Sequence, residues 1–591
     1  MKKKFLSVFL AGAMALTFVA CGNSKDNNSN SNSNAKNSFV AGTYEGTAKG
    51  FGGEIKATIK LSDSKIEEIV VVGDKETPTI GGVAVESMPQ EMLTKQSVNV
   101  DIVSGATVTS NAIIEAVTEA FTSAGIDASN LVPQENSNIE KTEETLNVDC
   151  VVVGAGGAGM TAALEAKAAG LNVIIVEKMA MAGGNSVKAT GGMNAAETEV
   201  QESYGVEDSV EVFVEDTMKG GYNLNNRDLV TKMAEESSDA IEWLEEIGAP
   251  LPELSFSGGA TNKRIHRPEG GEAVGSFIVD ALIKNLEEQD IEIIYNTEAK
   301  EILTTDNVVS GIKAEGKDKN YTINAQAVIL ATGGFGANED MYTKYRPELK
   351  GFVTTNTPGA TGDGIIMAEA IGANLVDIDQ IQIHPTVEQT TSLLITESVR
   401  GGGAILVNKS AKRFGNELLT RDVVSASIIE QEDGYAYTIF DQQLRDSLSA
   451  IEKYVENNIV VQSDTIEGLA KELGLDEDTL VSTVNTWNEA VANQNDTEFG
   501  RNTGMEKDIS VGPFYAIKIA PGVHHTMGGI EINTNAEVIS TEDTVIPGLF
   551  AAGEVTGGVH GGNRIGGNAV TDFVVFGRIA GQSAGKFVNK Q

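Results

Sequence analysis

Five histidines occur in the 591 residues of the chain, and four of them fall in three short strings: IQIHPT (His384), GVHHTMGG (His524 and His525) and GGVHGGNR (His560). The fifth is His266. Histidines scattered at random would not gather in this way. Nearby in sequence stand Thr396, Glu397 and Arg400 (ITESVRGGG) and then Arg421 (RFGNELLTRD), while Arg564 follows His560 inside GEVTGGVHGGNRIGGN, residues 553–568. The chemistry open to such a set is recognition of a dianion. Two arginines and two histidines brought together hold two carboxylates, because a guanidinium presents a planar fork that pairs bidentately with carboxylate oxygens. The glycines of residues 553–568 add a second requirement. A flexible linker is repetitive and rich in Gly and Ser, whereas here glycine alternates with single, different polar groups, as backbone pressed against a large flat ligand would.

These residues need a scaffold, and VDCVVVGAGGAGM (residues 148–160) begins it. A β-branched run leads into Gly154, Gly156, Gly157, Ala158 and Gly159, then into the helix-forming TAALEAKAAG, and a second strand, NVIIVEK, ends in Glu177 and Lys178. This is the dinucleotide fingerprint in its proper context of strand, glycine turn, helix, strand and acid. Gly154 permits the tight turn, Gly156 lets backbone approach a pyrophosphate, and Gly159 lets helix and strand pack closely. The helix N-terminus faces the phosphate charge. Glu177, 23 residues after Gly154, is placed to accept from a ribose hydroxyl. A second glycine run follows at once, MAGGNSVKATGGMNAA, with Gly183, Gly184, Asn185, Ser186, Gly191 and Gly192. An NAD domain has no reason for it; a flavin lying across a sheet edge does, so FAD is expected. Thr332 and Gly333 (AVILATGGFG), Asp363 (TGDGIIMAEAIGA), His525, and Gly553, Glu554, Arg564, Gly567, Asn568, Ala569 and Val570 complete the expected cofactor positions.

Lys and Arg number 44 against 84 Asp and Glu, so the net charge is 44 − 84 = −40. Such a surface repels nucleic acid and anionic membrane, and both are set aside as partners. The N-terminus reads MKKK, an apolar stretch, and then Cys21, which is a secretory signal by its basic and apolar regions. With a cysteine at the junction it resembles a bacterial lipoprotein signal, Phe18 departing mildly from the usual residue. Residues 21–38 are too polar to bury anything and read as a tether. The expectation is an exported protein, lipid-anchored through Cys21 to the outer face of the cytoplasmic membrane. Cys150, the other cysteine, reads as a small buried hydrophobe. No CxxC or CxxCH string occurs, so neither c-type haem nor an iron–sulfur cluster is expected, and no metal.

After the tether, GTYEGTAKGFGGEIKATIKLSDSKIEEIVVVGD alternates apolar and polar residues as a meander of strands, and DIVSGATVTS leads into an amphipathic helix. By chemistry alone Thr107 is a turn hydroxyl that would cap the helix. The string Asp101, Ser104, Gly105, Ala106, Thr107 resembles, however, the site where a flavin transferase attaches FMN by a phosphoester in FMN-binding domains, and Thr107 is favoured over Thr109. The expected layout is a signal peptide (1–20), tether (21–38), FMN-binding domain (39–128), linker (129–145), FAD-binding domain (146–380 and 523–591) and an inserted capping domain (381–522). The fold class is α/β: a doubly wound, Rossmann-like FAD domain with an α+β cap, preceded by a small α+β domain.

Through these ordered motifs, residues 146–591 resemble the flavoprotein subunits of the fumarate reductase and succinate dehydrogenase superfamily, nearest the flavocytochrome c fumarate reductases and urocanate reductases. The resemblance implies a substrate clamp of His384, Thr396 and Glu397 at one end and His524 with Arg564 at the other, cationic at both ends. It makes Arg421 the proton donor and Glu397 and Arg400 its relay, where the physics of arginine alone would assign charge stabilisation. The implied reaction moves a hydride from N5 of reduced FAD to the C=C bond of an unsaturated carboxylate, fumarate first, in an oxidoreductase acting on CH–CH groups. FMN and a membrane or extracellular donor would supply electrons. Urocanate reductases resemble this chain but carry Tyr at the His384 position and Asp at the Glu397 position. Acrylate, methacrylate or cinnamate-like acids would use one pole of the clamp. Leu394 stands where flavocytochromes place methionine, and a surface flavin electron carrier without its own substrate is the rival of another class.

Overall fold

The computed structural model describes residues 39–76, 81–100, 102–103, 106–131, 141–256 and 258–590, with Thr107 and Asn130 described by backbone alone. The expected signal peptide, tether and Cys21 lie outside the described residues, as do Asp101, Ser104 and Gly105.

The small N-terminal unit is an antiparallel meander, Gly42–Lys49, Glu54–Leu61 and Ile66–Val72, covered by the helices Gly81–Lys95 and Thr107–Ser123. Period-two burial places Ile55, Ala57, Ile59 and Leu61 on the inner face, against Ala112, Ile113, Ala116, Val117, Ala120 and Phe121 of the second helix. The first helix departs from the sequence reading, which gives it no helical pattern. It opens on two glycines and contains Pro89, both poor local signals, and it forms because Ala84, Met88 and Met92 bury against the sheet. Met181, from the second glycine run of the large unit, joins this core and ties the two units together.

In the large unit a six-stranded sheet runs Glu292–Ile294, Val173–Val176, Cys150–Val153, Ala327–Leu330, Val545–Ala551, Glu537–Ile539. The first five are parallel and the last is antiparallel. Its central strands are buried on both faces, as parallel strands between helical layers must be. Helices Gly157–Ala168 and Asn568–Val588 cover one another beside it, with Gly577 and Gly581 allowing contact with Ala158 and Ala162. Residues 142–145, expected to end the linker, are instead strand: Thr142–Asn147 pairs in parallel with Lys319–Asn324.

The third element group is built on the strands Ile381–Val387, Phe514–Thr526, Ala436–Asp441, Ile405–Val407 and Val461–Ser463. Two apolar clusters fill it, one around Trp487 and one around Phe440 and Tyr515. The expected boundary at residue 522 falls inside Phe514–Thr526, a single strand that carries Ala516 into the capping core and delivers His524 and His525 to the site. Among the described residues no helix is long and apolar enough to cross a membrane.

Candidate active site

One cleft of about 2270 Å³ gathers most of the residues singled out by sequence, well above the ~300–1,000 Å³ common for small-molecule pockets. Gly154, Gly156, Gly157, Ala158, Glu177, Lys178, Gly184, Asn185, Ser186, Gly191 and Gly192 line one part of it, with Thr332, Gly333, Asp363, Gly553, Glu554, Gly567, Ala569 and Val570. His384, Thr396, Glu397, Arg400, Arg421, His524, His525 and Arg564 line another. Gly159, Gly183 and Asn568 lie behind the wall. A Cβ at Gly159 would sit 1.9 Å from the Gly154 carbonyl, one at Gly183 would press on Val187 and Val279, and Asn568 is buried in hydrogen bonds to Asn194 and Thr217.

The glycines separate what the protein needs for itself from what it leaves open. Gly154 has φ +103° and a Cβ there would meet the Ala331 carbonyl at 2.4 Å, so the turn itself demands glycine. At Gly156 a Cβ would find nothing nearer than the Ser186 hydroxyl at 4.0 Å, and at Gly191 nothing within 4 Å. The space a side chain would fill there belongs to the cleft. Three buried polar atoms of cleft-lining residues have no partner among the described residues: Thr332 Oγ1, His525 Nε2 and Arg564 Nε. The residues therefore fit a flavin dinucleotide, with the helix N-terminus at Gly157 for its phosphates. Glu177 takes hydrogen bonds from the Ala155 and Met179 amides at 2.7 and 2.8 Å, which fixes its carboxylate at the cleft wall while burial pushes its pKa up. Lys178 and Asp363, both expected at the cofactor, form an ion pair with one another.

Six charged or titratable side chains meet at the other end: Arg421, Glu397, Arg564, Arg400, His384 and His524. Arg421 begins the helix Arg421–Ile429, donating from Nε to Glu397 Oε1 at 2.8 Å and from Nη1 to Gln382 Oε1 at 2.8 Å. Arg564 reaches the same Gln382 oxygen at 3.4 Å and lies 3.3 Å from His524 Nε2. Arg400 Nη2 lies 3.9 Å from Glu397, and its Nη1 donates to the Glu417 carbonyl. Burial opposes charge on Glu397, but the Arg421 guanidinium outweighs it and holds the carboxyl far below the usual range. Arg564 is lowered to about 9, by burial first and then by Arg421.

The histidines depart from the sequence reading, which counts them among the cationic groups. Burial, reinforced by Arg421, holds His384 and His524 well below their ordinary pKa, so both are neutral at pH 7. His384 Nδ1 accepts from the Thr386 amide at 3.3 Å, which puts the proton on Nε2, a buried donor without a partner among the described residues. His524 Nδ1 sits 2.8 Å from the Thr355 hydroxyl, and its Nε2 is left as acceptor for Arg564. The charge of the site is carried by guanidiniums; the imidazoles are oriented hydrogen-bonding groups. Thr396 caps the short helix Glu397–Gly401, its amide donating to the Tyr454 hydroxyl at 2.9 Å.

Sequence reasoning missed Gln382, Tyr454 and Thr355. Gln382 had a legible signal, since it lies two residues before His384 on one strand and residues i and i+2 share a face. Tyr454 and Thr355 come from distant segments and carry no local signature.

In the small unit, Thr107 is the first residue of its helix and Ala106 occupies the capping position, with no side-chain cap. The sequence alternative of Thr107 as a helix cap is thereby corrected. Among the described residues no side chain caps this helix N-terminus, an arrangement that suits a phosphate. Thr109 is buried, its hydroxyl donating to Glu76 at 2.5 Å. The exposed apolar side chains Phe51, Ile102 and Val108 line the same cleft as the glycine cradle.

Fold and site together define a flavoprotein oxidoreductase with two flavin-binding units. The family model described as FAD binding domain matches residues 149–570, and that described as FMN-binding domain matches residues 50–122. Over 549 residues the chain is 43% identical to the NADH:fumarate oxidoreductase of Klebsiella pneumoniae, covering 93% of this chain and 59% of that protein. It is 36% identical over 600 residues to the urocanate reductase of Eggerthella lenta, covering 99% and 98% respectively. The structure of the open conformation of a flavocytochrome c3 fumarate reductase superposes with a TM-score of 0.67 at 48% identity, covering 75% of this chain and 79% of that one. The chain belongs to the fumarate reductase flavoprotein family and carries an additional FMN-binding domain.

Proposed function

We propose that this protein reduces the C=C bond of a small unsaturated carboxylate, with fumarate the best fit, and that electrons enter through FMN held covalently on Thr107. The observation that carries the reading is the convergence of Arg421, Arg564 and Arg400 with His384 and His524 on one wall of a cleft whose other wall is the glycine cradle. In an acidic chain, that concentration of guanidiniums suits a dianion. FAD, bound and reduced, supplies the hydride. Arg564 with His524 holds one carboxylate, and the unpartnered Nε2–H of His384 with Thr396 holds the other. These donors stand ready where charge develops as the alkene is reduced, without reorganising. Arg421 delivers the proton to the second carbon. Its Nε and Nη1 are engaged by Glu397 and Gln382, which leaves Nη2 without a protein partner among the described residues. An arginine serves as an acid only where it is reloaded at once, and the Glu397 carboxylate beside it, with Arg400 beyond, is the route. The shared cleft supports direct passage of electrons from the small unit to the large one. A flavin transferase would be required for Thr107. On the sequence signal at Cys21, the protein is exported and lipid-anchored, with a membrane or extracellular electron donor.

The test is a substrate panel with a reduced dye donor: fumarate, urocanate, acrylate and methacrylate. Fumarate should exceed the monocarboxylates in kcat/KM by about ten- to a hundredfold, because losing one charge-assisted pairing costs ~1.5–3 kcal/mol. A monocarboxylate or urocanate preferred over fumarate would overturn the fumarate assignment. Denaturation should release FAD and leave FMN on the chain. Thr107→Ala should abolish that label and Thr109→Ala should not.

A further inference from the structure

Two lysines line this cleft with no carboxylate paired to them among the described residues. Lys188 closes the turn Ser186–Lys188 just after the glycine cradle, its Nζ donating to the Thr355 carbonyl at 3.0 Å. Lys453 lies on the helix Ala450–Glu456 of the capping region, one residue before Tyr454. Both reach solvent while lining the cleft, so they stand where it opens. Neither forms an ion pair among the described residues, and Glu452, the neighbour of Lys453, is taken by Arg445 at 2.6 Å. Crowding by the cleft walls, and then the like charge of Lys453, bring Lys188 down to about 8. Two like charges lining one cleft are unfavourable, and in a chain of net charge −40 carboxylates to quench them are plentiful. Their isolation needs a reason.

We propose that Lys188 and Lys453 form a cationic gate, one post on the FAD-binding side and one on the capping side, which draws small dicarboxylates into the cleft. An incoming dianion between the posts turns their mutual repulsion into two attractions. The overall charge of the protein repels such a ligand, and a local cationic mouth overcomes that field at short range. Lys188 also links the gate to the clamp, since the Thr355 whose carbonyl it holds places its hydroxyl on His524. The inference rests on the reading of the site as one for unsaturated carboxylates.

The experiment compares wild type with Lys188→Gln, Lys453→Gln and the double variant, all carrying FAD and FMN. The kcat/KM for fumarate and acrylate is measured from low to high NaCl. At low salt each single variant should lose about three- to tenfold for fumarate, in KM rather than kcat, and less for acrylate. The difference should fade above ~0.1 M salt, where the Debye length is about 10 Å. Lys188→Arg and Lys453→Arg should restore the wild-type salt dependence. A loss equal at all salt concentrations would mean a merely structural role and overturn the gate, as would wild-type kinetics in the double variant. The association rate of succinate, followed by flavin absorbance, is the second readout. If no enoate is reduced, the functional reading fails; a salt-dependent succinate rate lost in the variants would still support the gate, and an unchanged rate would overturn it.

Discussion

Among the described residues, Gln382 is the one side chain amide that accepts from both Arg421, the proposed proton donor, and Arg564 of the proposed clamp, and its replacement tests how the site is organised. Its Oε1 accepts from Arg421 Nη1 at 2.8 Å and from Arg564 Nη2 at 3.4 Å, while its Nε2 donates to Asn563 Oδ1 at 2.7 Å and to the Arg564 carbonyl at 2.9 Å. The amide thus holds the donor arginine and the binding arginine at a fixed separation. Gln382→Leu keeps the bulk and removes all four contacts. The short bond to a charged donor is worth ~1.5–3 kcal/mol and the 3.4 Å contact adds little, so kcat/KM for fumarate should fall about ten- to a hundredfold. Because Arg421 loses its tether on one side, much of that loss should appear in kcat. Gln382→Glu separates positioning from charge. A carboxylate between the two guanidiniums would pair with both and compete with the substrate, so KM for fumarate should rise further than in Gln382→Leu. Steady-state assays with a reduced dye donor measure both, with FAD content and Tm recorded because Asn563 and the Arg564 carbonyl also lose a partner. If both variants keep full FAD and stay within about threefold of wild type, the bridge has no part in the reaction.

Arg421→Ala should cut turnover by orders of magnitude and leave FAD bound, because the helix it begins and the glycine cradle are separate; near-normal fumarate reduction would remove Arg421 from the chemistry. His266 should make stability depend on pH. It is fully buried, and burial lowers its pKa from 6.5 to about 4; its Nδ1 lies 2.9 Å from the Arg264 carbonyl and its Nε2 lies 2.8 Å from the Thr198 hydroxyl. A folded pKa below the unfolded value gives stability that is full above pH 6.5 and lost as pH falls toward 4, about 3 kcal/mol across that window. The fall in Tm between pH 6.5 and 4 should be shallower in His266→Gln than in wild type, and equal slopes would refute the assignment.

The parts of this protein legible in sequence are those whose physics is local. Gly154 is demanded by the positive φ of its own turn, Gly159 by the Gly154 carbonyl within the same string, and Gly156 borders the open cleft beside that turn, so a short string announces all three. Arginine and histidine in glycine-rich turns are conspicuous because those residue types are costly to bury there without purpose. Gln382, Thr355 and Tyr454 are ordinary residues made important by elements folding in from far along the chain. The support behind Arg400 is of the same kind. Arg501 donates to the Arg400 carbonyl at 2.7 Å and to Glu417 at 3.2 Å, and Arg413 binds Glu417 at 2.8 Å and Asp496 at 3.0 Å. All four side chains are buried, and no spacing in the sequence marks them as one network.

Protonation state is the least legible property of all. The sequence names His384 and His524, and only burial beside Arg421 shows that they are neutral. That changes what the site does when empty. At the clamp end, three guanidiniums stand against the Glu397 carboxylate beside Arg421, the imidazoles add no further repulsion, and a dianion arriving among these groups brings their charge near balance. A monoanion would leave the guanidiniums under-compensated. Under the proposed function a preference for two carboxylates follows from counting charge among the clamp groups, and the neutral histidines are what make that count come out.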